Sequence, residues 1–131
     1  MKTLIVEDDF ISRLVLQKIL LPYGQCDIAV NGKEAVAAFS FALKESNPYD
    51  LICLDIMMPE MDGNEALKII RQKEKENNVK PNNESTIVMI TALDTPRDVV
   101  ESYYQGGCTS YLVKPINKMK INQMLKELNL V

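Results

Sequence analysis

Leu51, Ile52, Cys53 and Leu54 form an unbroken apolar run that stops at a single carboxylate, Asp55, at the head of the stretch LICLDIMMPEMDG. Four apolar residues in succession, without polar alternation, have the length and β-bias of a strand buried on both faces. Such a strand needs cover above and below, which is the condition of a central parallel sheet between helices. Asp55 then stands where the strand opens into a loop, and Pro59 and Gly63 close that loop before a helical pattern starts at Asn64. In an open α/β sheet this edge is where ligands bind, because strand ends and loops leave a crevice there.

The rest of the chain repeats the unit. Leu4 to Val6, Asp27 to Val30, Thr86 to Ile90 and Ser110 to Val113 are further strand patterns. The first helix is expected to bury Ile11, Leu14, Val15 and Ile19 on one face and to end at Pro22 and Gly24. Asn31-Gly32 turn the chain into an Ala-rich helix from about Lys33 to Lys44, and a third helix runs from about Asn64 to Lys75 with Ala66, Leu67, Ile69 and Ile70 as its apolar positions. Glu76 to Ser85 is polar and reads as a long surface loop. Thr95, Pro96 and Asp98 form a helix start, Gly106-Gly107 a stop, and Lys118 to Leu128 a closing amphipathic helix. Five strand–helix units with right-handed crossovers predict one α/β domain over residues 1–131, a doubly wound five-stranded parallel sheet. Its strand ends would bring Glu7, Asp8, Asp55, Thr91 and Lys114 to one edge.

Composition narrows what that edge can do. A chain of 131 residues, 47% of them apolar, is the size of one domain. The net charge of −3 gives no broad attraction to nucleic acid, so partners are expected to be proteins. Cys26, Cys53 and Cys108 are odd in number, widely spaced and without a CxxC, and read as reduced packing residues. Met1 leads directly into a strand pattern and no apolar run approaches membrane-spanning length, so a cytoplasmic protein without membrane association is expected. The chain has no histidine, which excludes Ser-His and Cys-His catalysis and any phosphohistidine of its own.

Each edge residue has a bland reading when taken singly. An Asp after a strand is often a helix cap, a Lys before Pro a solvated residue, and Thr91 an ordinary β-branched strand position. Jointly the bland reading is poor, since it must gather three carboxylates, a hydroxyl and an ammonium on one edge by chance. Carboxylates sharing a pocket raise one another's pKa unless a cation offsets them. The side-chain donors are all hard oxygens, which points to Mg2+ that keeps several waters. The spare coordination positions suit phosphate oxygens, and a carboxylate can be the nucleophile that forms an aspartyl-phosphate.

Four motifs, VEDD at Val6 to Asp9, DIMMPEMDG at Asp55 to Gly63, TA at Thr91-Ala92 and YLVKP at Tyr111 to Pro115, resemble the receiver domain of bacterial two-component response regulators, in its stand-alone single-domain form. The resemblance covers essentially the whole chain and implies a flavodoxin-like fold with strand order 2-1-3-4-5. It implies that Asp55 accepts a phosphoryl group from the phosphohistidine of a sensor histidine kinase or phosphotransfer protein. Asp8 would bind Mg2+ directly, Glu7 through water, and Met57 would offer its backbone carbonyl. Three acids are available for the two N-terminal metal positions; Arg13, six residues after Glu7, favours Glu7 and Asp8 and leaves Asp9 out. Lys114 would pair with the phosphate, Thr91 would hydrogen-bond it, and Tyr111 would be the aromatic switch. The family's output face is the fourth helix, fifth strand and fifth helix, here about Pro96 to Gln105, Tyr111 and Lys118 to Leu128. Val100 and Tyr104 lie one turn apart there, as an exposed patch or as core positions. The resemblance also implies a signalling domain that catalyses its own phosphorylation and dephosphorylation, acts on a downstream protein, and is a monomer or a phosphorylation-dependent dimer. Met57 and Leu93 are apolar where some relatives guide attacking water, so self-dephosphorylation is expected to be slow.

Rival classes fit less well. A haloacid-dehalogenase-like phosphatase needs a second acid two residues after the first, where this chain has Met57. A flavodoxin-type electron carrier needs a hydroxyl- and glycine-rich phosphate loop after the first strand, where this chain has EDDFISR. A DNA-binding regulator needs an effector domain, and the sequence stops after its fifth helix, so output by protein contact is expected unless it is a fragment.

Overall fold

In the computed structural model, which describes residues 1–92 and 107–131, five strands form one parallel sheet in the order 2-1-3-4-5. They are β1 (Thr3–Val6), β2 (Cys26–Ala29), β3 (Leu51–Asp55), β4 (Thr86–Thr91) and β5 (Ser110–Val113). The described helices are α1 (Phe10–Leu20), α2 (Gly32–Lys44), α3 (Gly63–Glu76) and a C-terminal helix (Lys118–Glu127). The segment expected to hold a helix from Pro96 to Gln105, with Leu93, Thr95, Val100 and Tyr104, lies outside the described residues.

Helices lie on both faces, and the strand side chains alternate between them. Leu4, Val6, Ile52, Leu54, Ile87 and Met89 pack with Phe39 of α2 and with Leu67 and Ile70 of α3. Ile5, Leu51, Cys53, Val88 and Ile90 pack with Leu16 and Leu20 of α1 and with Ile121, Met124 and Leu125 of the C-terminal helix. Every residue of β3 is buried, which is why its sequence shows no alternation. Each described helix starts at a capping side chain: Asp9, Asn31, Asp62 and Asn117 accept the amide hydrogens of Ser12, Glu34, Glu65 and Lys120. All three cysteines are free thiols.

The expected apolar face of α1 needs correction. Leu16 and Leu20 are its buried residues, whereas Ile11, Leu14 and Val15 are 64%, 42% and 37% exposed. Two apolar stripes satisfy the same helical period, and the sheet takes the one that Leu16 and Leu20 define. The other stripe stays on the surface.

The amino ends of the strands lie at the opposite pole from Asp55, where the polar stretch after α3 is tied down. Glu74 is buried; its Oε1 takes a hydrogen bond from the Arg71 guanidinium at 2.7 Å and its Oε2 one from the Ser85 amide at 2.8 Å. The Ser85 hydroxyl donates to the Tyr49 carbonyl at 2.6 Å, and Arg71 donates further to the carbonyls of Ser85 and Gly107, each at 2.9 Å. Pro81–Asn83 form a single 3-10 turn within the stretch.

Candidate functional site

Sheet register sets the site. Val6 lies beside Leu54, Asp55 beside Ile90, and Thr91 beside Val113. One step beyond those rows, Glu7 and Lys114 leave β1 and β5 at the edge that already carries Asp55 and Thr91. Glu7, Asp55 and Thr91 are buried, while Asp8 is exposed to solvent. Glu7, Asp8 and Asp55 each offer a carboxylate oxygen within 4.8 Å of the other two. The Lys114 ammonium donates to Glu7 Oε1 at 2.8 Å and stands 3.5 Å from Asp55 Oδ2. The edge residues named from sequence are therefore brought together, with three carboxylates and one ammonium among the described residues.

The acid run sorts itself by role. Asp9 spends its carboxylate on the α1 cap, accepting the Ser12 amide at 2.9 Å, so for this acid the bland reading holds. Glu7 turns inward and Asp8 outward. Arg13, one turn into α1, donates to the Glu7 carbonyl at 3.1 Å and fixes the backbone where the acids begin.

After Asp55 the chain bends sharply. The Ile56 amide donates to the Ile90 carbonyl at 3.0 Å, and the Met57 amide lies 3.3 Å from Asp55 Oδ1, leaving the Met57 side chain 62% exposed. Gly63 begins α3 against this bend: a Cβ there would strike the Asp55 carbonyl oxygen and come within 2.8 Å of Ile56 Cα. A residue that reads as loop punctuation is thus what lets α3 approach the acid. Tyr111 sits half-buried on β5 beside Met89, against the core shared by α2 and α3. Val100 and Tyr104 lie outside the described residues.

The electrostatics are unbalanced. Burial, then the hydrogen bond and charge of Glu7, push the Asp55 carboxyl up to about 7, and the Lys114 ammonium offsets this only in part. Burial alone would raise Glu7 as well, but its hydrogen bonds with Asp55 and Lys114 hold it below the usual carboxylate range. Lys114 is raised: burial works against its charge, and the two acids outweigh burial. Without a bound cation Asp55 therefore keeps its proton to a higher pH than an exposed carboxyl does, while Glu7 stays ionised. A set of hard oxygens with no imidazole or thiolate suits a divalent cation such as Mg2+, whose charge would displace that proton.

Beside the acids lies a cleft of about 430 Å³ between α1 and the loop that follows β5, lined by Ile11, Val15, Pro115 and Ile116 together with Glu7 and Lys114. Ile11 and Val15 of the exposed α1 stripe thus share one cleft with Glu7 and Lys114 of the acidic site. The sequence pattern missed this surface because the same residues read equally well as core.

The family model of the response regulator receiver domain matches residues 3–126. Among curated proteins the chain is similar to histidine kinase 5 of Arabidopsis thaliana, at 30% identity over 96% of this chain and 15% of that protein. It is also similar to hybrid signal transduction histidine kinase B of Dictyostelium discoideum, at 37% identity over 96% of this chain and 6% of that protein. The chain spans only a small part of these relatives' length. Among solved structures it is similar to the chemotaxis protein CheY4 of Vibrio cholerae, with 28% identity, a TM-score of 0.80 and coverage of 96% of each chain. A complex of CheX and CheY with BeF3 and magnesium from Borrelia burgdorferi matches with 28% identity and a TM-score of 0.83, over 98% of this chain and 89% of that one.

Proposed function

The chain belongs to the response regulator receiver family, and from that premise we propose that Asp55 is its phosphoacceptor, charged by a phosphohistidine on a sensor histidine kinase or phosphotransfer protein. The observation that carries the reading is the meeting of Glu7, Asp8 and Asp55 with the ammonium of Lys114 at the carboxyl edge of the sheet. Fold likeness alone does not carry it, since sites and not folds do chemistry. In the step itself an Asp55 Oδ attacks phosphorus, the P–N bond to the donor imidazole breaks, and the neutralised imidazole leaves with the phosphoryl group now on the carboxylate.

Asp55, Asp8 and the carbonyl of Met57 would hold Mg2+, with Glu7 acting through water; the ion would supply charge neutralisation for the transferring group. Lys114 pairs with a phosphoryl oxygen, leaving Glu7 as it does so, and Thr91 donates its hydroxyl to another. Catalysis here is positioning and electrostatics supplied to the domain's own modification, so the chain is a signalling domain that promotes its own phosphorylation and dephosphorylation and not a turnover enzyme. The apolar cleft beside α1 is where the donor docks, since Glu7 and Lys114, both neighbours of Asp55, line it and the donor must supply the histidine this chain lacks.

Phosphorylation adds roughly −1.5 to −2 charges and three acceptor oxygens to a pocket already crowded with acids. That shifts a two-state equilibrium in which Thr91 moves toward the phosphate and Tyr111 turns inward behind it. The output is read by a downstream protein on the face that includes Tyr111 of β5 and the C-terminal helix. The chain is a monomer or a phosphorylation-dependent dimer, and the setting is cytoplasmic. Met57, apolar at the pocket mouth, slows self-dephosphorylation.

Incubation with acetyl phosphate and Mg2+, followed by intact-mass measurement, tests the reading. One base-labile phosphate adduct is expected, absent in Asp55→Asn. No adduct, or steady phosphatase turnover on many substrates, would sink it.

A further inference from the structure

Lys120 stands in a place that disfavours its charge. It is the third residue of the C-terminal helix, its amide donates to the cap Asn117 at 2.9 Å, and the first turn contains no acid. A cation there faces the positive end of the helix dipole. The ammonium does not point away to solvent; it folds back past the helix start and donates to the Val113 carbonyl at 3.2 Å and the Pro115 carbonyl at 2.9 Å. These carbonyls belong to the residues on either side of Lys114.

The position matters because β5 is an edge strand. The Lys114 amide donates inward to the Thr91 carbonyl at 2.8 Å, so the carbonyl of the same peptide group, that of Val113, points outward, where the sheet offers it no partner. Lys120 supplies that partner. The peptide that carries Lys114 into the pocket is therefore held from both sides, by Thr91 within and by Lys120 without, and the Pro115 carbonyl, on the far side of Lys114, is held by the same ammonium.

We propose that Lys120 is a positioning residue for Lys114, bracketing its backbone so that the ammonium reaches Asp55 and the incoming phosphoryl group. The inference rests on the reading of Asp55 as phosphoacceptor. In the transfer from acetyl phosphate an Asp55 Oδ–P bond forms, the bridging P–O bond breaks and acetate leaves; Lys114 meets the charge on the phosphoryl oxygens, and Lys120 touches none of the reacting atoms. Loss of the bracket lets Lys114 wander by a fraction of its side-chain length, and small displacements at a reacting centre are costly.

The test compares wild type, Lys120→Met and Lys120→Arg, each alone and in a Lys114→Met background, by three readouts: Asp55 phosphorylation rate from acetyl phosphate, beryllofluoride affinity in the presence of Mg2+, and affinity for Mg2+ alone. Lys120→Met is expected to slow phosphorylation about tenfold and weaken beryllofluoride by a similar factor, with Mg2+ affinity unchanged. Lys120→Arg, which keeps the donors, is expected to recover most of the rate. In the Lys114→Met background Lys120→Met should change nothing further, because the residue it positions is gone. Full activity in Lys120→Met, or the same proportionate loss with and without Lys114, overturns the proposal. Should Lys120→Met fail to fold, Lys120→Gln is read by the same criteria. If wild type itself takes no phosphate, the reading of Asp55 fails; if wild type is modified at Asp55 and Lys120→Met is modified equally fast, only the positioning role fails.

Discussion

The two poles of the sheet each bury a glutamate, and they use it in opposite ways. At the amino end Glu74 has both oxygens engaged, one by Arg71 at 2.7 Å and one by the Ser85 amide at 2.8 Å, so its charge is matched. At the carboxyl end Glu7 shares the Lys114 ammonium with Asp55, with Asp8 close by, so among the described residues negative charge is in excess. A buried charge that is fully paired holds segments together; a buried cluster left unbalanced stores free energy that only a ligand can relieve. The difference separates scaffold from site without appeal to any relative.

Breaking the matched pole should cost the fold and spare the site. Glu74→Ala leaves Arg71 without its counter-charge and the Ser85 amide without its acceptor, and chemical denaturation is expected to show a loss of ~3 kcal/mol. Mg2+ affinity should stay at the wild-type value. An equal loss of Mg2+ binding would mean that the two poles are not independent.

Breaking the unbalanced pole should do the reverse. Asp8→Ala removes an exposed carboxylate from the cluster, so stability should change by no more than ~0.5 kcal/mol. Mg2+ affinity should fall at least about tenfold, equivalent to ~1.4 kcal/mol. Undiminished Mg2+ binding would show that Asp8 is not a ligand.

A smaller effect, in thermal stability, follows from protonation. The Asp55 carboxyl is raised by burial and by Glu7 to about 7, above an unfolded value of ~3.9. The folded chain therefore holds this proton more tightly than the unfolded chain. The associated stability is present below the unfolded pKa and is lost as pH rises through about 7. Mg2+ favours the ionised form, so the rise in melting temperature on adding it should be larger at about pH 8 than at about pH 5.5, by a few degrees. Equal gains at both pH values would contradict the raised Asp55 carboxyl.

Much of this contrast was legible in sequence, for physical reasons that differ residue by residue. The apolar runs at Leu51 to Leu54 and Thr86 to Ile90 announce strands because burial on both faces removes alternation. The strand-end residues then follow from topology, as Glu7, Asp8, Asp55 and Lys114 do. The stripe of α1 was not legible: Ile11, Leu14 and Val15 satisfy the helical period as well as Leu16 and Leu20 do, and only the sheet chooses between them. Arg71 and Glu74 were not legible either, since charges three apart on a helix look like a solvated face until Ser85 folds over them. The separate duties of Glu7, Asp8 and Asp9 depend on which carboxylate the α1 cap consumes, a matter of one turn of backbone. Lys120 read as one more charge on an amphipathic helix, because its partners are carbonyls, which leave no mark in a sequence pattern.

The central claim is that the excess charge at the carboxyl pole is arranged around Asp55 as an acceptor. It is tested most directly by treating the chain with acetyl phosphate and Mg2+, reducing any acyl phosphate with borohydride, and sequencing the peptides by mass. The account predicts homoserine at position 55 and nowhere else; homoserine at Asp8, or an unmodified Asp55 in a chain that binds Mg2+ normally, would contradict it.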